Sequence, residues 1–387
     1  MTGIDKTKLK ICVYAISKNE EKFVDRFVAS AKDADLILVA DTGSSDGTVD
    51  RCRALGVAVH QIHIRPWRFD LARNAVLALV PDWVDVCISL DLDEVLEPGW
   101  REEIERVWEP GVTKNLWYTF DWGSDLVFPH HKIHSRDGWH WHHPCHEEIR
   151  LDPRVKNVEA HSGKLLVRHH PDPTKSRGQY MEILEAAVAE DSSDPTHYFY
   201  FARELTFYRR WDDAIRALKN YLGMNGASNQ NERSYAMRLL AKSYDALGRR
   251  EDAEKWYLQA ASESPNTREP WCELAMMMYH QKRWSECFSY ATLALRTLYR
   301  VQTYTCDPAV WGHLPHDLAS ISAWHLGLKD VALEQARIAV QHSPDDERLK
   351  ANLLFIENDL AGSWPPSAAP RRPSPRPCQP FRTAKTC

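Results

Sequence analysis

The chain has 387 residues, 27% of them charged, and a formal net charge of −5 at pH 7. This length suits two domains of ordinary size, and the weakly acidic balance offers no basic surface for a polynucleotide backbone, so no nucleic-acid partner is predicted. No apolar run reaches the roughly 18 residues that cross a bilayer, and residues 1–10 lack the apolar core of a signal peptide, which predicts a soluble protein without a membrane span.

The first hundred residues alternate short apolar runs with amphipathic stretches, which is typical of βαβ units around a mostly parallel sheet. Asn19 is predicted to cap the first helix, and Asp46 with Thr48 the second. The second and fourth strands end on Asp41 and Asp91, which places both acids at the carboxyl edge of the sheet, where open α/β folds bind ligands. The predicted strands cover residues 11–16, 36–40, 57–62 and 84–90.

Beyond Trp108 the helical period is lost until Arg177, and Gly, Trp and His become frequent. Ten of the eighteen histidines lie between His130 and His170. This composition predicts irregular strands and loops that complete the first domain.

From about Gly178 to Leu360 the pattern is helical and repeats itself. Four small residues recur at the same place in successive apolar helical stretches, at steps of 39, 34 and 45 residues: Ala214, Ala253, Cys287 and Ala332. Pro265 and Pro344 each follow twelve positions after their alanine, where the second helix of a hairpin is expected to end. The pattern resembles the tetratricopeptide repeat, a helical hairpin of roughly 34 residues, here with insertions of which the longest includes residues 299–314.

These patterns divide the chain into an α/β domain at residues 1–175, a helical-repeat domain at 176–360 and a disordered, Pro-rich tail at 361–387. The nine cysteines include no Cys-x-x-Cys pair. Their scatter favours reduced thiols over a disulfide framework.

The segment Asp91-Leu-Asp93 follows an apolar strand, so both carboxylates are expected on one side of the chain. Carboxylate oxygens suit hard cations such as Mg²⁺ or Mn²⁺, which bridge phosphate oxygens and neutralise a leaving diphosphate. A lone Asp-x-Asp is more often a solvated turn. Its position after a buried strand, together with the motifs below, favours a metal site.

A second acidic turn, Asp41 to Thr48, also follows a strand. A carboxylate at this point can accept the N–H of a uracil or a ribose hydroxyl, and the glycines let the backbone approach a nucleotide. The turn begins with an acid and lacks the Gly-x-Gly-x-x-Gly spacing, so a dinucleotide-binding dehydrogenase is disfavoured.

Five motifs, in chain order, make the first half of the sequence resemble the family 2 glycosyltransferases of the GT-A fold. They are Ser17-Lys18-Asn19-Glu20-Glu21, residues 41–48, Asp70 with Ala72-Arg73-Asn74, residues 91–94, and His146-Glu147. The resemblance covers about residues 10–170, and a family 2 domain followed by tetratricopeptide repeats is a recurring bacterial and phage arrangement. It implies an α/β GT-A domain, a nucleotide diphosphate sugar as donor, with UDP preferred, and transfer to a hydroxyl with inversion.

The resemblance also implies roles for the residues that contact the donor. Asp41 would contact the base or the ribose, and Arg73 would lie near the nucleotide or diphosphate unless it pairs with a structural acid on its helix. Asp91 would face the ribose or the metal, and Asp93 would bind Mn²⁺ or Mg²⁺. His169 would complete the metal shell.

His169 is preferred over its neighbour His170 for that place, because its position after the strand-like run matches the family better. The general base is Glu147 in this interpretation, with Glu148 and Asp121 as alternatives. The Glu-Asp pair found in many family members near this point is lacking here.

Two alternative functions agree less well with the sequence. A sugar nucleotidyltransferase uses a similar sheet but needs a Gly-rich loop near its first strand, and residues 11–21 contain none. An inactive repeat scaffold is disfavoured because Asp41, Arg73, Asp91 and Asp93 are present together. The expected partners are the nucleotide-sugar donor and a protein acceptor held by the helical repeats, in the cytoplasm of a bacterium or a phage-infected host.

Overall fold

The structure is a computed structural model that describes residues 8–172, 178 and 180–361. These residues pack as two compact units, which divide between Asp191 and Ser192. The predicted disordered tail lies outside the described residues from position 362 onward. The domain limits inferred from the sequence remain a prediction.

The first unit is built on a mixed sheet of eight strands in the order β3-β2-β1-β4-β7-β6-β10-β5, with a separate hairpin of β8 and β9. The strands β1 to β4 are parallel, as the βαβ pattern predicts, whereas β7 runs antiparallel to both β4 and β6. The strands are β1 Ile11–Ser17, β2 Leu36–Asp41, β3 Ala58–Gln61, β4 Val86–Ser89, β5 Glu94–Leu96, β6 Asn115–Gly123, β7 Leu126–Ser135, β8 Trp139–His142, β9 Glu148–Leu151 and β10 Glu159–His169.

Five helices belong to the first unit: α1 Glu21–Ala31, α2 Thr48–Ala54, α3 Phe69–Ala78, α4 Trp100–Val107 and α5 Tyr180–Glu190. The expectation that Asn19 caps α1 is wrong. Asn19 has a left-handed φ of 55°, and its side chain accepts from the backbone of Ser45 at 2.8 Å. The first N–H of α1, that of Glu21, is instead satisfied by Asp46 at 3.2 Å, and the same carboxylate accepts from Thr48 N at 3.1 Å at the start of α2.

The segment after Trp108 is more regular than the sequence suggested. Strands β6, β7 and β10 are 9, 10 and 11 residues long and complete the sheet. Leu116, Tyr118 and Phe120 alternate inward along β6 with the period of two that defines a strand. Bulky aromatic and histidine side chains on both faces conceal that alternation, because a half-buried strand normally contrasts apolar with polar positions.

The second unit is helical, and its helices pair in sequence as the repeat pattern predicts. The four recurring residues Ala214, Ala253, Cys287 and Ala332 each have no exposed surface and lie on the second helix of a pair. Small side chains at these points let neighbouring helices approach closely. The helices are α6 Pro195–Phe207, α7 Trp211–Gly223, α8 Gln230–Ala246, α9 Arg250–Glu263, α10 Glu269–His280, α11 Trp284–Arg296, α12 Leu314–His325, α13 Lys329–His342 and α14 Glu347–Leu360.

The long insertion between α11 and α12 contains a short 3-10 helix, Pro308–Trp311, and packs on the first helices of earlier pairs. The Glu269 carboxylate on α10 accepts from the backbone of Asp307 at 3.0 Å and from the indole of Trp311 at 3.3 Å. Arg238 on α8 donates to the carbonyl of Thr305 at 3.4 Å. The insertion is therefore a folded part of the helical unit.

Among the described residues, seven cysteines are buried and form no disulfide bond: Cys12, Cys52, Cys87, Cys145, Cys272, Cys287 and Cys306. Burial raises the pKa of Cys52 to about 11 and those of Cys12 and Cys287 to about 12. None of the helices among residues 8–172 and 180–361 has both the length and the apolar run that crossing a bilayer requires.

A buried ion pair closes the last helices of the second unit, and its loss is expected to be costly. Asp317 on α12 is buried, and it accepts from Arg348 Nη1 on α14 at 2.8 Å. Burial raises the pKa of Asp317 to about 6, against the opposing pull of Arg348. Arg348→Met leaves this acid buried without its cation and is expected to lower the free energy of unfolding by about 3–5 kcal/mol.

Urea unfolding of the full chain, followed by far-UV circular dichroism, measures this loss. Arg337→Met is the matched control, because Arg337 and Glu357 form a pair at 3.2 Å in which both side chains are more than a third exposed. Its expected cost is below about 1 kcal/mol. The loss in Arg348→Met should shrink as the pH falls, since a protonated Asp317 needs no counter-ion; equal losses in the two variants would contradict the assignment.

Candidate active site

The candidate residues gather at the carboxyl ends of the parallel strands β1, β2 and β4. Asp41 is the last residue of β2, and its side chain has no exposed surface. The carboxylate accepts from Ser17 Oγ at 3.0 Å, from the backbone N–H groups of Gly43 and Ser44 at 3.1 and 3.0 Å, and from Ser44 Oγ at 2.5 Å. A carboxylate has about four acceptor positions. In this arrangement the Asp41 carboxylate holds the turn that follows it in place. A nucleotide could bind the carboxylate only by displacing one of these hydrogen-bond donors.

Arg73 lies on α3 and is fully buried below the edge of the sheet. Its guanidinium donates to Glu147 Oε1 at 2.5 Å through Nε, to Asp91 Oδ1 at 2.8 Å through Nη2 and to Ser89 Oγ at 3.2 Å through Nη1. The guanidinium carbon lies 4.9 Å from the ring centroid of Trp141. The partners predicted for Arg73 were a nucleotide or an acid on its own helix; the acids it binds here lie on other elements.

Glu147 follows a loop with an unusual backbone. His143 and His146 have φ values of 71° and 56°, in the left-handed region that side chains with a Cβ seldom occupy. The Glu147 side chain has no exposed surface, and Oε2 is buried without a hydrogen-bond partner in the described part of the chain. Burial raises the pKa of Glu147, while Arg73 lowers it, and the net shift is upward. A raised pKa makes a carboxylate a stronger base.

The two alternative bases are differently placed. Glu148 is half exposed and pairs with Arg150 at 2.8 Å. Asp121, near the end of β6, is held by Arg168 at 2.5 Å and accepts from Gly123 N at 2.9 Å. Neither lies in the buried network that joins Arg73, Glu147 and Asp91.

The sheet brings Asp93 beside His169. β5 pairs antiparallel with β10, with Glu94 opposite His169, so the residue that precedes β5 meets the end of β10. His169 Nε2 lies 3.6 Å from Asp93 Oδ2, and both side chains are buried. His170 is exposed, and its backbone N–H donates to the Asp93 carbonyl at 2.8 Å.

The residues present fit a divalent metal ion. Asp93 Oδ2 and His169 Nε2 lie 3.6 Å apart and would supply one oxygen and one nitrogen to a common ion. The indole of Trp122 stacks on the His169 ring at 3.8 Å between centroids, which fixes the orientation of the imidazole. Asp91, in contrast, already has one carboxylate oxygen, Oδ1, in an ion pair with Arg73.

Sequence reasoning missed a second buried pair beneath this motif. Glu94 has no exposed surface; it accepts from the backbone N–H of Asp91 at 3.0 Å and from Lys132 Nζ at 3.4 Å. Burial raises the pKa of Glu94, and Lys132 opposes the rise. Lys132 is buried on β7. A lysine in a buried strand next to an acidic turn is the signal that would have pointed to this pair, which shapes the turn between Asp91 and Asp93.

Residues 12–170 match the family model described as Glycosyl transferase family 2. The N-terminal unit is a family 2 glycosyltransferase domain. The match confirms the resemblance inferred from the five motifs, and it spans from β1 to the residue after β10, which includes every candidate residue described above. No curated protein matches the chain closely enough to be counted as a relative.

Slightly less than half of the same chain is similar to solved structures of helical-repeat proteins. YrrB, a TPR protein with an unusual peptide-binding site, is 13% identical, with a TM-score of 0.37 over 46% of this chain and 84% of its own. PilF of Pseudomonas aeruginosa is 15% identical, with a TM-score of 0.35 over 47% of this chain and 72% of its own. A TPR protein of Cytophaga hutchinsonii is 13% identical, with a TM-score of 0.39 over 48% and 67%.

Proposed function

We propose that the glycosyltransferase domain moves a sugar from a UDP-sugar to a hydroxyl with inversion, and that the helical unit holds a protein acceptor. The observation that carries the proposal is the presence of two separate acidic centres near one edge of the sheet. Asp93 with His169 forms one, and Glu147, tied to Arg73, forms the other. Displacement of a diphosphate by a hydroxyl needs both a centre that offsets negative charge and a centre that accepts a proton.

Asp93 and His169 would hold the Mn²⁺ or Mg²⁺, and Asp91 would face the ribose. When bound, the ion offsets the negative charge of the leaving diphosphate. Lys132 and Glu94 keep the Asp91–Asp93 turn in place from below through the bond of Glu94 to the Asp91 N–H. The buried surroundings strengthen each of these electrostatic contacts.

Glu147 would act as the general base. The acceptor oxygen forms a bond to the anomeric carbon, the bond from that carbon to the diphosphate breaks with its electron pair going to the diphosphate, and the hydroxyl proton passes to Glu147 Oε2. Oε1 is already bound to Arg73, whereas Oε2 has no hydrogen-bond partner among the residues that the structure describes. Because the side chain has no exposed surface, the acceptor must displace a covering group before its hydroxyl comes within hydrogen-bond reach.

Calorimetric titration of the full chain with a panel of nucleotide diphosphates and their sugars tests the donor and the metal together. UDP compounds are expected to bind at least about tenfold more tightly in Mn²⁺ than in a chelator, a difference of about 1.4 kcal/mol. Guanosine and thymidine diphosphates are the comparison ligands, and a preference for one of them would change the donor but not the reaction. If no member of the panel binds in a metal-dependent way, the proposed function fails.

A further inference from the structure

The guanidinium of Arg73 is shared among three residues from two distant segments of the chain. Nε binds Glu147 at the end of the β8–β9 connection, Nη2 binds Asp91 beyond β4, and Nη1 binds Ser89 in β4. Trp141 of β8 covers the guanidinium at 4.9 Å. The side chain has no exposed surface.

This burial argues against a direct contact between Arg73 and a diphosphate. The Arg73 side chain has no exposed surface, and neither has that of its partner Glu147, so a phosphate would have to enter an enclosed site and disturb a buried ion pair. Separating one partner of a buried ion pair is strongly unfavourable. The planar fork of an arginine suits the present task better, because it holds two carboxylates at fixed angles and neutralises their mutual repulsion.

The loop that carries Glu147 needs such a tether. His143 and His146 have the left-handed φ values given above, and backbone in that region persists only where surrounding contacts over-determine it. Further contacts hold the same loop. The Pro144 carbonyl accepts from Phe69 N at 3.0 Å, and the His146 ring stacks on Tyr180 of α5 at 5.9 Å.

We propose that Arg73 is a positioning residue, which fixes the Glu147 carboxylate relative to Asp91 and does not itself bind the nucleotide. The proposal rests on the function proposed above, since it assigns Glu147 as the base and Asp91 to the donor side. Arg73 then sets the distance between proton acceptor and donor. Its loss affects turnover through Glu147, while the donor still binds.

A double-mutant cycle in the full-length protein tests this coupling. Arg73→Lys keeps the charge but replaces the planar fork by a single nitrogen, which cannot occupy the Nε and Nη2 positions that bind the two carboxylates. We therefore expect kcat to fall by about 10–100-fold, the scale of a misplacement near 1 Å. The KM for donor and the calorimetric affinity for UDP with Mn²⁺ should stay within about twofold. In the Glu147→Gln background, where no base remains to be positioned, Arg73→Lys should cost less than about threefold.

Two outcomes would overturn the proposal. Equal fold losses from Arg73→Lys in the wild-type and Glu147→Gln backgrounds would show that Arg73 does not act through Glu147. A fall of more than about tenfold in UDP affinity with kcat unchanged would show that Arg73 binds the nucleotide directly. A wild-type protein without transfer activity on any donor would instead contradict the proposed function. Failure of the positioning role and failure of the proposed function are therefore distinguishable.

A second variant and a control accompany the cycle. Ser89→Ala removes the acceptor of Arg73 Nη1, together with a hydrogen bond to Tyr14, and leaves both ion pairs of Arg73 in place, so it replaces Arg73→Lys if that variant does not fold. A smaller loss of kcat is expected, again absent in the Glu147→Gln background. An equal loss in both backgrounds would count against the proposal. Arg101→Lys is the control. Arg101 is a buried arginine on α4 that binds Leu9 O at 2.7 Å and Asp35 at 3.0 Å, at the amino ends of β1 and β2, so its loss should lower the melting temperature without changing kcat or KM.

Discussion

Glutamine in place of Glu147 is expected to lower turnover by about 10²–10⁴-fold, the usual contribution of a positioned base. The substitution keeps the size of the side chain, and the amide oxygen still accepts from Arg73 Nε, so the buried network should survive. It removes the capacity to take a proton at Oε2. Donor affinity in Mn²⁺ should therefore barely change while single-turnover transfer slows.

The pH dependence of the rate gives an independent readout. Burial raises the pKa of Glu147, and a base works only when deprotonated, so wild-type turnover should rise with pH through that raised pKa and level off above it. The Glu147→Gln variant should lack this rise. Glu148→Gln is the matched control, because the neighbouring side chain is half exposed and pairs with Arg150. Near-normal turnover of Glu147→Gln would move the base to Glu148 or Asp121.

Asparagine in place of Asp93 is expected to reduce Mn²⁺-dependent donor affinity and turnover together. Changes to groups that merely support a metal ligand typically cost 10–100-fold, so the loss of a ligand charge should cost about 10²-fold or more. Asparagine is close in size to aspartate, so the fold should be preserved. Calorimetry with UDP and Mn²⁺, paired with transfer rates, measures both effects.

The two adjacent histidines offer a matched pair for the same site. His169→Gln should reproduce the Asp93→Asn defect, because its ring nitrogen lies 3.6 Å from the Asp93 carboxylate. His170→Gln should be nearly silent, since the His170 side chain is exposed and its backbone bond to the Asp93 carbonyl survives the substitution. Full metal-dependent activity in Asp93→Asn would refute the metal assignment, and with it the mechanism that depends on it.

The parts of the fold that could be predicted are those encoded by local periodicity. Alternating apolar runs located β1 to β4, and their acidic ends placed Asp41 and Asp91 at one edge of the sheet. The cap predicted for helix α1 was wrong, because the N–H of Glu21 donates to the carboxylate of Asp46. The pairing of β1 with β2 brings Asp46 near the start of this helix. A contact of that kind exists only after the sheet has formed.

In the candidate site, too, the residues could be identified from the sequence, whereas their contacts with distant residues could not. Motif resemblance picked out Glu147, Asp93 and His169, whose roles remain predictions, and the pairing of β5 with β10 accounts for the proximity of the last two. The partners of Arg73 were not foreseeable from its helix, because Glu147 lies 74 positions away in the chain. Helix α5 packs in the first unit through a contact distant in sequence, the stacking of Tyr180 on Phe69 at 6.1 Å, which local periodicity does not encode.

The buried cysteines allow the unfolding of each unit to be followed separately by alkylation. A thiol reagent attacks the thiolate, and the raised pKa values of Cys12, Cys52 and Cys287 keep that form scarce while burial blocks access. Alkylation at these positions therefore requires local or global unfolding. Since Cys12 and Cys52 belong to the first unit and Cys287 to the second, peptide mapping after timed alkylation in urea would time the loss of each core separately within one intact chain.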